Sequence, residues 1–137
     1  MLPQILISTS AAITLLVGAV HLYATFFGPL LRPRDPLLEG QMKQVSPVVT
    51  NQITMWNGWI AFNANQSLGL LLFGVLYSYL SIFQFQVLLE TEFLLLVGAV
   101  FLVGVLVVAK YYLFVRPVRA FGISFVLYVV GAAVAVA

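Results

Sequence analysis

The chain has 137 residues, 63% of them hydrophobic and 7% charged. Soluble domains carry about 25% charge, so this composition excludes an ordinary water-soluble domain and implies one integral membrane domain spanning residues 1–137. The net charge of +2 rests on six basic and four acidic residues, too few to imply a nucleic-acid partner, and the lack of cysteine excludes disulfides and thiolate metal sites.

Crossing a bilayer takes about 20 mostly apolar residues. Four stretches meet that length, at about 5–27, 54–80, 93–115 and 118–137. They predict an all-α, four-transmembrane-helix bundle. The first stretch lacks the positive leader of a secretory signal and is long enough to span, so it reads as a retained helix. It carries His21, the sole histidine. Ser10, Thr14, Gly18, His21, Thr25 and Gly28 recur at spacings of three and four, a stripe suited to close helix contact. Two readings of His21 are open: a hydrogen bond to an amide or Tyr on a neighbouring helix, or donation to a quinone-like carbonyl.

The connection from Gly28 to Gln52 holds Pro29, Pro33, Pro36 and Pro47. Within it, Asp35-Pro36 reads as an N-cap followed by proline at the first helical position. A short helix with Leu37, Leu38, Met42 and Val45 along one edge would lie flat at the interface; an ordered loop is the alternative.

The second stretch is polar in its first half, with Trp56, Asn57, Trp59, Asn63, Asn65, Gln66 and Ser67. Lipid offers amides no hydrogen-bond partner. At about 100° per residue, Trp56, Trp59, Asn63, Gln66 and Ser67 share one face. Either these groups join helices and anchor the indoles at the interface, or they line a site for a small ligand. The segment from Ser81 to Glu92 is expected at the opposite interface. The third stretch ends with Lys110 and Tyr111. The lysine either snorkels outward or points inward toward His21 and Asn63. Arg116-Pro117-Val118-Arg119 is expected to form the tight turn into the last helix.

All six basic residues fall in two places. Arg32, Arg34 and Lys43 follow the first stretch, and Lys110, Arg116 and Arg119 surround the third junction. The Ser81–Glu92 segment has none and carries Glu90 and Glu92. Basic residues mark the cytoplasmic side, which predicts both termini on the non-cytoplasmic side of a membrane, expected to be a bacterial inner membrane.

The run Thr54-Met55-Trp56-x-x-Trp59-x-x-Phe62-Asn63-x-x-x-Ser67-Leu68-Gly69, then Phe73-Gly74 and Tyr77, resembles the second helix of a family of small four-helix bacterial integral membrane proteins of uncharacterised activity. His21 and Arg34-Asp35-Pro36 fit the same pattern, and the likeness covers roughly the first 80 residues. It implies the four-helix fold and a shared site in the inner half, with no assigned chemistry. A histidine commonly stands in that family at the position of Gln66, and a glycine at that of Ala61, so the resemblance implies no histidine chemistry at 66. A looser likeness to accessory subunits of quinol oxidases is analogy only.

No Asp or Glu lies inside a predicted span, which argues against proton-coupled antiport by a small four-helix transporter. Phosphate-binding loops, metal-ligand clusters and nucleophile–base pairs are absent from the sequence, so no catalytic residue, metal or cofactor is assigned. The polar groups predict a cytoplasmic-side pocket formed by His21, Trp56, Trp59, Asn63, Gln66, Lys110 and Tyr111. Its expected occupant is a small amphipathic lipid or quinone-like molecule. The alternative is an accessory subunit of a larger membrane complex, with a membrane protein partner or a second copy as neighbour and membrane lipids around it. An enzyme using His21 as acid or base beside Lys110 or Tyr111 ranks last.

Overall fold

The computed structural model describes residues 1–136, in which every regular element is a helix and none is a strand. The elements are α1 (Leu2–Phe27), α2 (Pro36–Met42), α3 (Met55–Phe83), α4 (Phe85–Glu90), α5 (Glu92–Tyr112) and α6 (Val115–Val136). As the hydropathy predicts, four helices, α1, α3, α5 and α6, are long and apolar enough to cross a membrane, consistent with an integral membrane protein. Ala137, the end of the fourth predicted span, lies outside the described residues.

The connections after α3 and α5 add detail that hydropathy does not give. The α5–α6 turn falls at Leu113–Phe114, ahead of the Arg116–Arg119 run. Pro117 becomes the third residue of α6. Its missing N–H costs nothing there, because first-turn amides have no intrahelical acceptor. The connection after α3 folds into α4, because Leu88 reaches the core and is fully buried.

The chain forms two compact units. The first comprises Met1–Val17 and the chain from Leu70 onward. Its core joins Ile7 and Ala11 of α1, Phe73 and Tyr77 of α3, Leu88 of α4, Leu102 of α5 and Tyr128 of α6. Phe73 stacks on Tyr77 with ring centres 4.5 Å apart and on Phe101 at 4.9 Å. The two buried tyrosines keep their hydroxyls satisfied by α5 carbonyls: Tyr77 donates to Leu94 (2.6 Å) and Tyr128 to Leu95 (3.1 Å). Without such partners, polar atoms in a dry interior cost several kcal/mol each.

The small-residue stripe of α1 makes the close contact its spacing predicts. Ser10 and Thr14 are fully buried, and their hydroxyls lie 2.8 and 2.9 Å from that of Ser124 on α6. Gly74 allows α3 to approach α1, since a Cβ there would stand 2.7 Å from the Cα of Leu15. Outward faces are apolar: only 17% of the most apolar stretch of α5 is buried.

The second unit, Gly18–Gly69, contains the end of α1, the connection with α2, and the start of α3. Here the short helix of the connection forms as the Asp35-Pro36 signal predicts. The Asp35 carboxylate accepts from the Leu37 amide at 2.9 Å, and Pro36 stands at the first helical position. The Thr54 hydroxyl accepts from the Asn57 amide at 3.3 Å and caps α3. The Met55 amide donates to the Val45 carbonyl at 2.8 Å, tying the connection to the α3 start.

Candidate functional site

In the second unit, α1 ends and α3 begins beside the Pro29–Pro33 segment, and a cavity of about 180 Å³ opens among them. Thr25 and Gly28 come from α1 and the residue after it, Arg32 from the connection, and Trp56, Trp59 and Asn63 from the first nine residues of α3. The α3 residues arrive together because positions three and four apart share a helix face.

Asn63 organises the inner wall. Its Nδ2 donates to the Trp59 carbonyl at 2.8 Å. That bond fixes the amide orientation, since a flipped side chain would set Oδ1 against another acceptor. Oδ1 therefore faces His21, 3.1 Å from Nε2, and the imidazole must donate from that nitrogen. His21 does not line the cavity; it holds Asn63 from behind. Thr25 donates its hydroxyl to the His21 carbonyl at 2.8 Å, and Ser67 donates to the Asn63 carbonyl at 2.9 Å.

The Trp59 indole closes the other wall. Its Nε1–H donates to the Leu31 carbonyl at 2.9 Å, across 28 residues of sequence, and so pins the connection against α3. Arg32 follows directly and, among the described residues, is the only charged one lining the cavity. Its guanidinium lies 4.0 Å from Glu39, whereas Lys43 meets the same carboxylate oxygen at 2.6 Å. Lys43 also stands 5.1 Å over the Trp56 ring, within cation–π range. The hydrogen bond from Lys43, reinforced by the charges of Lys43 and Arg32, holds the Glu39 carboxyl below its usual range.

Of the residues predicted to form one pocket, the structure brings Trp56, Trp59 and Asn63 into the cavity wall and places His21 directly behind. Gln66 is exposed and lines no part of it. Lys110 and Tyr111 belong to the first unit, where both are exposed and the ammonium sits 5.8 Å over the tyrosine ring. Arg32 was missed as a site residue, because its charge reads in the sequence only as a topology marker. No family model, curated protein or solved structure matches this chain.

Among the described residues, no group of three or more His, Asp or Glu side chains could hold a metal ion. The cavity walls offer flat indole faces beside hydrogen-bond donors. A cavity of about 150 Å³ takes a benzene ring, whereas drug-sized ligands occupy about 300–1,000 Å³. A volume of about 180 Å³ therefore suits one ring or one headgroup, with any hydrocarbon tail left outside.

Proposed function

We propose that this membrane protein binds the ring or headgroup of a small amphipathic lipid or quinone-like molecule between the end of α1 and the start of α3. The observation that carries the reading is the cavity in which both tryptophans meet the anchored Asn63 amide. Indoles supply stacking surface, and Asn63 has one amide hydrogen beyond those its neighbours use. The clustering of Arg32, Arg34 and Lys43 in the same unit supports a cytoplasmic placement for this cavity, with both chain termini opposite. Lipid extracted from protein purified in mild detergent is expected to contain a bound small molecule that is lost on Asn63→Leu. Wild-type protein free of such a molecule, or its retention by the variant, overturns the reading.

A second reading, an accessory subunit of a larger complex, is favoured by Asn65 and Gln66. Both are exposed amides on α3 and form no side-chain hydrogen bond among the described residues. Such groups join helices in membranes. Co-migration with a partner in a native gel supports it, and a lone monomer under mild extraction counts against it.

A further inference from the structure

The geometry points to a phosphate-type oxyanion as the group this cavity takes, bound at the Arg32 guanidinium between Trp56 and Trp59; this inference rests on the ligand-binding reading above. The side-chain hydrogen-bonding capacity left at the cavity lies mostly with donors. Arg32 has five N–H groups and no carboxylate within hydrogen-bond range, its nearest being Glu39 at 4.0 Å. Asn63 has already given Oδ1 to His21 and retains an N–H. Trp56 has an indole N–H without a partner among the described residues. No Asp or Glu lines the cavity, and the one carboxylate nearby is neutralised by Lys43 at 2.6 Å.

The charge balance sharpens the choice of ligand. A neutral quinone would use the indole faces and the Asn63 amide but would leave the guanidinium fork without an acceptor. A phosphate ester satisfies that fork with two parallel N–H···O bonds, the geometry for which arginine is suited and lysine is not. Two sources share this chemistry: the headgroup of an anionic lipid, and free phosphate from solution. The exposed apolar side chains of Tyr23, Phe26 and Phe27 lie on the same stretch of α1 that contributes Thr25. They give an acyl chain a surface beside the headgroup site, which favours the lipid.

The chain contains two tryptophans, and both line this cavity. Intrinsic fluorescence of the full chain in mild detergent therefore reads occupancy without a label. The probes are dihexanoyl phosphatidic acid, inorganic phosphate, dihexanoylglycerol and decylubiquinone. The expected result is saturable emission change with dihexanoyl phosphatidic acid, weakened about tenfold by Arg32→Gln, the loss of one charge-assisted contact. Arg34→Gln, which removes an exposed arginine outside the cavity, is expected to leave binding unchanged. Inorganic phosphate binding as tightly supports the oxyanion chemistry and assigns its source to solution; weaker binding assigns it to the lipid. If dihexanoylglycerol or decylubiquinone binds as well as phosphatidic acid and Arg32→Gln changes nothing, the oxyanion inference fails while the amphipathic-ligand reading stands. Equal weakening by Arg34→Gln also overturns it, because the effect is then diffuse surface charge. If none of the four probes changes the emission, both fail.

Discussion

At the level of single side chains, three hydroxyls do most of the polar work inside the first unit. The Ser124 hydroxyl lies 2.8 and 2.9 Å from those of Ser10 and Thr14 of α1, and the Ser10 and Ser124 hydroxyls lie 2.7 and 3.0 Å from each other's backbone carbonyls, so the single proton of each hydroxyl has more than one acceptor within reach. Ser124→Ala removes the hub yet leaves Thr14 its bond to the Ser10 carbonyl. The expected loss is about 1 kcal/mol, in the range of interhelical hydrogen bonds in membranes. Reversible unfolding in mixed micelles measures it, and an unchanged stability refutes the assignment. Half of this knot was legible beforehand. Ser10 and Thr14 repeat at helical spacing, so their face of α1 could be read as a contact surface. Ser124 stands alone among apolar residues of α6 and gives no periodic signal. The same holds for the cavity: Trp56, Trp59 and Asn63 announce themselves by polarity inside an apolar stretch, whereas Arg32 reaches the site only because Trp59 captures the Leu31 carbonyl 28 residues away. Long-range capture of a backbone carbonyl has no sequence signature.

Helices and their crossings obey the same logic with larger energies. Gly74 is an interface residue of α3: an added methyl would meet Leu15 at 2.5 Å from Cβ and 2.7 Å from Cα. Backbone on the far side cannot yield as a flexible side chain does. Gly74→Ala is expected to destabilise by about 1–3 kcal/mol, the usual penalty of overpacking. Gly104→Ala in α5 has open space around it and is expected to be neutral or slightly stabilising through helix propensity alone. The pair, compared by the same unfolding measurement, separates packing from propensity; equal effects would show that α1 and α3 do not meet at Gly74. The four long helices could be read from hydropathy because their length is fixed by the solvent they cross. Helix α4 could not, since its six residues are held by tertiary contacts, the burial of Leu88 and the packing of Phe85 against the core. The last turn shifted for a local reason. Proline marks a boundary region without saying whether it ends one helix or sits inside the first turn of the next.

For the whole molecule, the four helices long and apolar enough to cross a bilayer are unequal. Helix α3 has 29 residues and α5 has 21, so at 1.5 Å per residue the first is longer by about 12 Å. A hydrocarbon slab is about 30 Å thick, the length of α5 rather than of α3. The polar beginning of α3, where Trp56, Trp59 and Asn63 reside, is the part of that helix least suited to hydrocarbon. For a helix of that length in a bilayer, acyl-chain length sets how much of its polar beginning the hydrocarbon covers. Reconstituted into nanodiscs of myristoyl lipids, the two indoles should emit at longer wavelength, as rings do near water. In discs of much longer chains the emission should move to the blue as hydrocarbon climbs over them. An emission maximum indifferent to chain length would mean that tilt absorbs the whole mismatch. If the shift is seen, a cell could open or shut this site by remodelling its fatty acids, leaving the polypeptide untouched.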